Sequence, residues 1–245
     1  MNKTNFYGIN IDILNTNEVL TLCNQYYYEN EERAKTILFL NAHYYNLSVK
    51  DLEYKKILNE SDLVLNDGIG VKLGLKFKKI SEKENMNGTD LIPKIIEIAI
   101  KNNKGIYLLG GEQGISTKAK ENLQKKYSDI IISGERNGFI NKEENKFIID
   151  DINTSKAELL IIGMGAPLQE KWINENKEKL KNVKIIIAGG AILDFLSGKV
   201  SRAPMFLRKL KLEWLYRLYL EPRRLFKRYV IGNVMFFINI YKNKS

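Results

Sequence analysis

At 245 residues the chain can bury a substantial core, as one domain or as a domain with an appendage, and its 44% hydrophobic composition suits a globular protein. One cysteine, Cys23, excludes an internal disulfide, and one histidine, His43, excludes a multi-histidine metal site. The net charge of +10 is carried by the end of the chain: residues 196–245 hold 12 Lys+Arg against 2 Asp+Glu, while the first 195 balance at 27 against 27. That terminal segment is therefore the part expected to meet something anionic.

Met1 begins a polar stretch and not a secretory signal pattern. From residue 35 onward, short β-rich runs alternate with longer amphipathic ones. The predicted strands are Ile37–Asn41, Leu63–Asn66, Gly105–Leu109, Ile130–Ser133, Leu159–Ile162 and Val183–Ala188. Between them, Leu91–Lys101, Ser116–Tyr127, Glu143–Ile152 and Gln169–Leu180 read as helices. The alternation predicts an α/β fold, a mostly parallel sheet flanked by helices in the manner of doubly wound proteins.

In such sheets ligands bind beyond the carboxyl ends of the strands. The residues there read NAH at 41–43, NDGIG at 66–70, GGEQG at 110–114, GMGAPLQEKW at 163–172 and GGAILDF at 189–195. Recurring glycines allow tight turns and close backbone approach, and helix N-termini offer N–H groups, so these loops favour a nucleotide or phosphorylated ligand. Asp67 stands out, as a general base beside an apolar strand or as a cap for the following helix. Thr89 and Asp90 read as caps. The chain has no GxxxxGK[ST] loop, no GxGxxG and no Asp-x-Asp pair, which argues against a P-loop NTPase and a dinucleotide-binding Rossmann site.

The basic end interleaves its charge with Phe206, Leu207, Trp214, Tyr216, Tyr219, Phe226, Tyr229, Phe236 and Phe237. Such a mixture suits a helix lying in a lipid interface. It also suits a helical subdomain covering the core, and both hold if different faces do different jobs. Nucleic acid is the weaker partner, because no zinc-finger or RNP motif accompanies the charge. The apolar run from Tyr229 to Tyr241 spans 13 residues and includes Asn233 and Asn239, short of the roughly 20 needed to cross a bilayer. Arg217, Arg224 and Arg228 lie at offsets of 7 and 11, which return to one helical face within about 40°. Pro222 falls between them and starts a new helix.

FLNAH, NDGIGV, NGTDL, RNGF, IGMGAPLQEKWI, AGGAILDFLSGKVSRAP, LEWLYRL and EPRRLFKRY, spread over nearly the whole chain, resemble the WecG/TagA/CpsF glycosyltransferases. The resemblance implies a Rossmann-like, GT-E-type core over residues 1–195 and a basic, membrane-associating helical appendage over 196–245. It implies an inverting, metal-independent hexosyltransferase with no cofactor, moving a sugar from a UDP-sugar to a polyprenyl-diphosphate-linked sugar. The place implied is the cytoplasmic face of the bacterial plasma membrane, in teichoic acid, common-antigen or capsule synthesis. Some members self-associate, which leaves both a monomer and a homo-oligomer open for this chain. An interaction protein that binds nucleotide or lipid without catalysis is the alternative.

Carried over by position, Asp67 is the family's general base, and Asn41 and Gln169 are polar pocket positions. Phe139 and Asp194 fall where the nucleoside binds, with Gly110, Gly111, Gly163 and Gly165 lining that pocket. Arg217 and Arg224, with Lys227 and Arg228 beside them, match the cations that the appendage places over the lipid diphosphate. Two departures affect the sugar. Asn85 to Gly88 replace an Arg-Val-x-Gly pattern, removing an arginine expected near the donor, and Phe39 replaces a Thr of the teichoic-acid enzymes. N-acetylmannosamine is the first expected donor sugar, another hexose the second.

Overall fold

The computed structural model describes residues 3–31, 33–141, 143–209 and 212–243, with their side chains except those of Lys209 and Arg224. Eight strands form one sheet in the order β1-β2-β4-β3-β8-β7-β5-β6. They are β1 (Lys3–Phe6), β2 (Ile9–Asp12), β3 (Lys35–Leu40), β4 (Leu63–Asn66), β5 (Ile106–Gly110), β6 (Ile132–Arg136), β7 (Leu159–Gly163) and β8 (Ile185–Ala188). Only β1 runs antiparallel, to β2; the other pairings are parallel.

The central strands read LVLN, LLIIG and IIIA and are buried along their length, as parallel strands covered on both faces must be. Alternate residues supply two cores. Leu38, Leu40, Val64, Leu160, Ile162 and Ile186 face one layer, with α2 (Ala42–Lys50), α3 (Leu52–Glu60), α4 (Gly68–Phe77), α7 (Asn145–Ser155) and α8 (Leu168–Asn176). Ile37, Phe39, Leu65, Leu159, Ile161 and Ile187 face the other, with α1 (Thr16–Tyr26), α5 (Gly88–Lys101), α6 (Ile115–Lys126) and α9 (Ile192–Leu196).

Every predicted strand is present, within three residues at each end. The first 34 residues add elements that the sequence pattern does not reveal. A hairpin turns at Tyr7 and Gly8, whose φ values are 49° and 91°, the double left-handed conformation of a tight two-residue turn. Helix α1 follows behind a capping box of Asn15 and Glu18. Asn41, Asp51 and Asn87 cap α2, α3 and α5. The cap of α5 thus comes from Asn87 and not from Thr89 or Asp90: Asn87 Oδ1 accepts the Thr89 N–H at 2.9 Å.

Adjacent strands β5 and β7 send their chains to opposite faces, into α6 and α8. This is a topological switch point, where the loops diverge and leave a crevice.

The C-terminal segment comprises α10 (Met205–Lys209), α11 (Glu213–Leu220), α12 (Pro222–Phe226), a π-helical turn (Lys227–Ile231) and α13 (Gly232–Lys242). As predicted, Pro222 opens a new helix, after a non-helical Glu221. Helix α13 packs on α2 and α4. Phe236 is fully buried there, with ring centroids 5.5 Å from Tyr45 and 6.3 Å from Phe6. Glycine in α4 permits this approach: a Cβ at Gly74 would lie 2.6 Å from Phe6 Cζ and 3.6 Å from Phe236 Cζ. Asn46 fastens the helix, donating to Gly232 O at 2.7 Å and accepting from Asn239 Nδ2 at 2.9 Å.

The two readings of the apolar tail are thereby divided between faces. Leu225, Phe236 and Ile240 are buried, while Phe206, Tyr219, Phe226, Val234 and Ile238 are exposed. No helix among the described residues is long and apolar enough to cross a membrane.

Candidate active site

The carboxyl ends of β3, β4 and β8 and the C-terminal helices enclose a cleft of about 270 Å³. Asp67 lines it, at the junction of β4 and α4. It occupies the N-cap position of α4 in extended backbone conformation, yet its side chain makes no cap hydrogen bond. The first N–H of the helix, that of Gly68, donates to Asn85 Oδ1 at 2.7 Å. The Asp67 carboxylate is approached by Asn41, whose Nδ2 donates to Oδ2 at 3.4 Å, while Asn41 Oδ1 caps α2 by accepting from Tyr44 N at 3.0 Å. Burial pushes the Asp67 carboxyl up to about 6; the Asn41 hydrogen bond and the charges of Arg228 and Arg217 act the other way, and Glu213 adds to the rise.

The C-terminal helices roof this carboxylate with cations. The Arg217 guanidinium stacks on Phe195 at 5.3 Å, and that of Arg228 lies 5.8 Å from the Tyr44 ring and 5.6 Å from Tyr229. Aromatic faces hold these groups, and both Nε atoms are buried without a hydrogen-bond partner. Burial, aided by Arg228, pushes the His43 imidazole down to about 4, so the histidine beside Asp67 in the cleft is neutral at neutral pH. Arg202 ties the roof to the core, donating to Asp90 Oδ1 at 2.7 Å and reaching Glu213 Oε2 at 3.6 Å. Arg208 also pairs with Asp90, at 3.5 Å.

The remaining candidates are elsewhere. Lys227 is exposed and is not among the cleft-lining residues; the Arg224 side chain is outside the described residues. Gln169, carried over as a polar pocket position, is fully buried. Its Oε1 accepts from Gly165 N at 3.2 Å and Gly190 N at 3.1 Å, and its Nε2 donates to Glu170 Oε1 at 2.7 Å. Gln169 therefore braces the loops after β7 and β8.

Gly110, Gly111 and Gly163 gather at the switch point. A Cβ on Gly110 would sit 2.4 Å from Gly163 O, and Gly111 N donates to that oxygen at 2.9 Å, so only glycine fits at residue 110. The RNGF turn joins them through Gly138 N to Gly111 O at 2.8 Å. Next to it, Phe139 is 70% exposed. Gly165 has φ 78° and open space around it. Asp194 lies 3.9 Å from Lys199, which pairs with Glu112 of the GGEQG loop at 2.8 Å. The candidates thus form two groups on one sheet edge, a carboxylate-and-arginine cleft at β3, β4 and β8 and a glycine-lined crevice at β5 and β7.

Asn85, Glu213 and Glu170 are polar residues of this edge that motif reading passes over. Asn85 and Glu213 reach the cleft only through contacts distant in sequence. Glu170 is buried, with Oε2 unpartnered, and burial pushes it up to about 7. Among the described residues no group of three or more His, Cys, Asp or Glu is placed to hold a metal ion.

At the carboxyl edge of a mostly parallel α/β sheet, a half-buried carboxylate thus shares a cleft with Arg217 and Arg228, where such sheets bind their ligands. Comparison with known proteins gives the class: the family model described as "Glycosyl transferase WecG/TagA/CpsF family" matches residues 4–245. The chain belongs to this glycosyl transferase family. Among its relatives is a protein of Bacillus subtilis (strain 168), 28% identical over 81% of this chain and 76% of the relative. Another, from Staphylococcus aureus (strain MRSA252), is 24% identical over 91% of this chain and 87% of its own length. Both are named N-acetylglucosaminyldiphosphoundecaprenol N-acetyl-beta-D-mannosaminyltransferase.

Proposed function

We propose that this protein transfers N-acetylmannosamine, or a closely related hexose, from a UDP-sugar to a polyprenyl-diphosphate-linked sugar, by inverting displacement and without a metal ion. The observation that carries this reading is the Asp67 carboxylate, free of the helix cap it stands beside and roofed by Arg217 and Arg228. A base whose pKa lies near the working pH is suited to taking a proton.

Asp67 accepts the proton of the acceptor hydroxyl as that oxygen bonds to the anomeric carbon. The bond from that carbon to the diphosphate oxygen breaks, its electron pair leaving with UDP. Inversion of an α-linked UDP-sugar yields a β product, the configuration in the relatives' names. Arg217 and Arg228 meet diphosphate charge through guanidinium N–H groups that have no protein acceptor at Nε. The exposed Phe139 ring beside the glycine crevice suits the nucleoside. Phe39, buried at the cleft wall where a Cβ on Gly88 would lie 3.5 Å from its Cζ, makes that wall apolar and bears on sugar choice.

The tail's exposed apolar residues and cations support peripheral attachment to an anionic membrane, on the cytoplasmic face where UDP-sugars are available. The test is Asp67→Asn with a soluble polyprenyl-diphosphate-sugar analogue, scored by UDP release. Turnover falls by roughly 10²–10⁴ with UDP affinity and folding retained; turnover like that of the unaltered enzyme sinks the assignment. A panel of UDP-sugars in the same assay identifies the donor.

A further inference from the structure

Helix α4 is apolar on more than its core side. Val71, Gly74 and Leu75 are buried, while Ile69, Leu73 and Phe77 recur every fourth residue and line the opposite face. Ile69 and Phe77 are exposed there, Phe77 at 57%, and Leu73 is half-buried. A surface helix ordinarily turns polar side chains outward. In GIGVKLGLKF the only polar side chains are Lys72 and Lys76.

Helix α13 extends this face. It lies beside α4 through Phe236, which a Cβ on Gly70 or Gly74 would meet at 3.6 Å. Ile69 and Asn233 both line the cleft, and further along the two helices Phe77 and Phe237 meet ring to ring, centroids 6.2 Å apart. The helices therefore run the same way, from the cleft to their carboxyl ends. Phe237 is a helical neighbour of Val234 and Tyr241, and these two, with Ile238, are exposed. Core and tail thus present one continuous apolar strip, about 12 Å long on α4 from Ile69 to Phe77. At its far end the chain continues into Lys78 and Lys79, which with Lys76 are exposed and have no acidic partner among the described residues.

We propose that α4 is the core's own membrane contact: the strip it forms with α13 enters the interface of an anionic bilayer, with Lys76, Lys78 and Lys79 among the headgroups. Apolar side chains bounded by lysine match that interface twice, by burial of apolar surface and by attraction of charge. A second copy of the chain meeting the strip face to face would set lysine against lysine. The inference rests on the membrane-attachment reading above and moves part of that attachment from the tail to the core. Because Ile69 begins the strip at the cleft, a prenyl chain stays in the bilayer while its diphosphate enters beneath Arg217 and Arg228.

Cys23 is buried and is the chain's one cysteine, so Phe77→Cys gives a single accessible site for an environment-sensitive fluorophore. The intact chain is titrated with vesicles of phosphatidylglycerol and phosphatidylcholine, and in parallel with phosphatidylcholine alone. Tyr28→Cys, at an exposed position before β3 and so toward the opposite edge of the sheet, is labelled as the reference. On the anionic vesicles, emission from position 77 shifts to the blue and is quenched by spin-labelled lipid, while that from position 28 does neither. Replacing Lys76, Lys78 and Lys79 together by Gln weakens co-sedimentation on the order of 10²-fold at low salt, and Phe77→Ser weakens it roughly tenfold. UDP release with a short soluble acceptor is unaltered in both.

Vesicle binding with position 77 left in water overturns the inference and leaves attachment to the tail alone. A blue shift that follows protein concentration without vesicles overturns it in favour of a second copy, and a shift at both labelled positions, the mark of indiscriminate adsorption, overturns it as well. Absence of all vesicle binding sinks the attachment reading together with the inference. Contact as described from a protein that releases UDP from no UDP-sugar supports the surface and removes the transferase reading.

Discussion

The sheet with its two helical layers and the C-terminal helices belong to one chain but use their polar groups in opposite ways. In the layers, Asn15, Asn41, Asp51 and Asn87 close helix ends, and Asn85 accepts the first N–H of α4. Helices α11, α12 and α13 begin at Leu212, Glu221 and Ile231, none of which caps with its side chain. Arg217 and Arg228 of this segment rest on aromatic rings and leave buried Nε groups unbonded. Unused donors are costly in a folded protein unless something else supplies acceptors. These helix ends of the layers are closed by the chain itself, whereas the guanidinium Nε groups of Arg217 and Arg228 are left for an acceptor from outside it.

That contrast can be tested most severely at Phe236, where the tail is built like the core. Phe236→Ala removes a fully buried ring packed against Phe6 and Tyr45, and a loss of about 3–5 kcal/mol is expected in denaturant unfolding. A loss below about 1 kcal/mol would show α13 to be merely laid on the surface.

Glu170 is an exception in the opposite sense, as Asp12 is: a buried carboxyl in the layers with one oxygen unpartnered. Its folded-state pKa is raised to about 7 from 4.5, so the stability it contributes is present below pH 4.5 and is lost as pH rises through 7. Glu170→Gln keeps an acceptor for Gln169, so it is expected to be more stable at pH 8 by roughly 2–3 kcal/mol and little changed at low pH. Urea unfolding at both ends of this range checks the sign.

The smallest effect concerns exposed charge. Arg223 and Lys242 are exposed on the tail, and each cation near an anionic bilayer contributes about 1 kcal/mol. Replacing both by Gln should weaken co-sedimentation with anionic vesicles on the order of tenfold or more at low salt, with turnover on a short soluble acceptor unaltered. Equal sedimentation would remove these two residues from the membrane-facing set.

How much of this was legible in the sequence depends on the distance over which each feature is specified. The central strands are continuous apolar runs, and their loops carry glycine and Asp67 in plain order. The hairpin at Tyr7 and Gly8 was not legible, because only Phe6 of β1 is buried and the turn lacks an Asn-Gly signal. A helix after Asp67 is expected, but its sequence, GIGVKLGLKF, hides its extent, since glycine disfavours helix; Gly74 is there for Phe6 and Phe236, contacts that no local pattern announces. Arg217 and Arg228 share the cleft although a helix break at Glu221 separates them. Spacing along one ideal helix grouped Arg217, Arg224 and Arg228 by a geometry the chain does not use. Gln169 reads as a pocket residue from its motif, and only the packing shows an amide buried beneath the pocket.

The single oxygen of Gln169 that receives both Gly165 and Gly190 has a mechanical consequence. The loops after β7 and β8 cannot part without stranding buried polar groups, at a cost of about 1–3 kcal/mol each. The two crevices on this sheet edge are thereby spaced by one atom, like two jaws cast on the same bar.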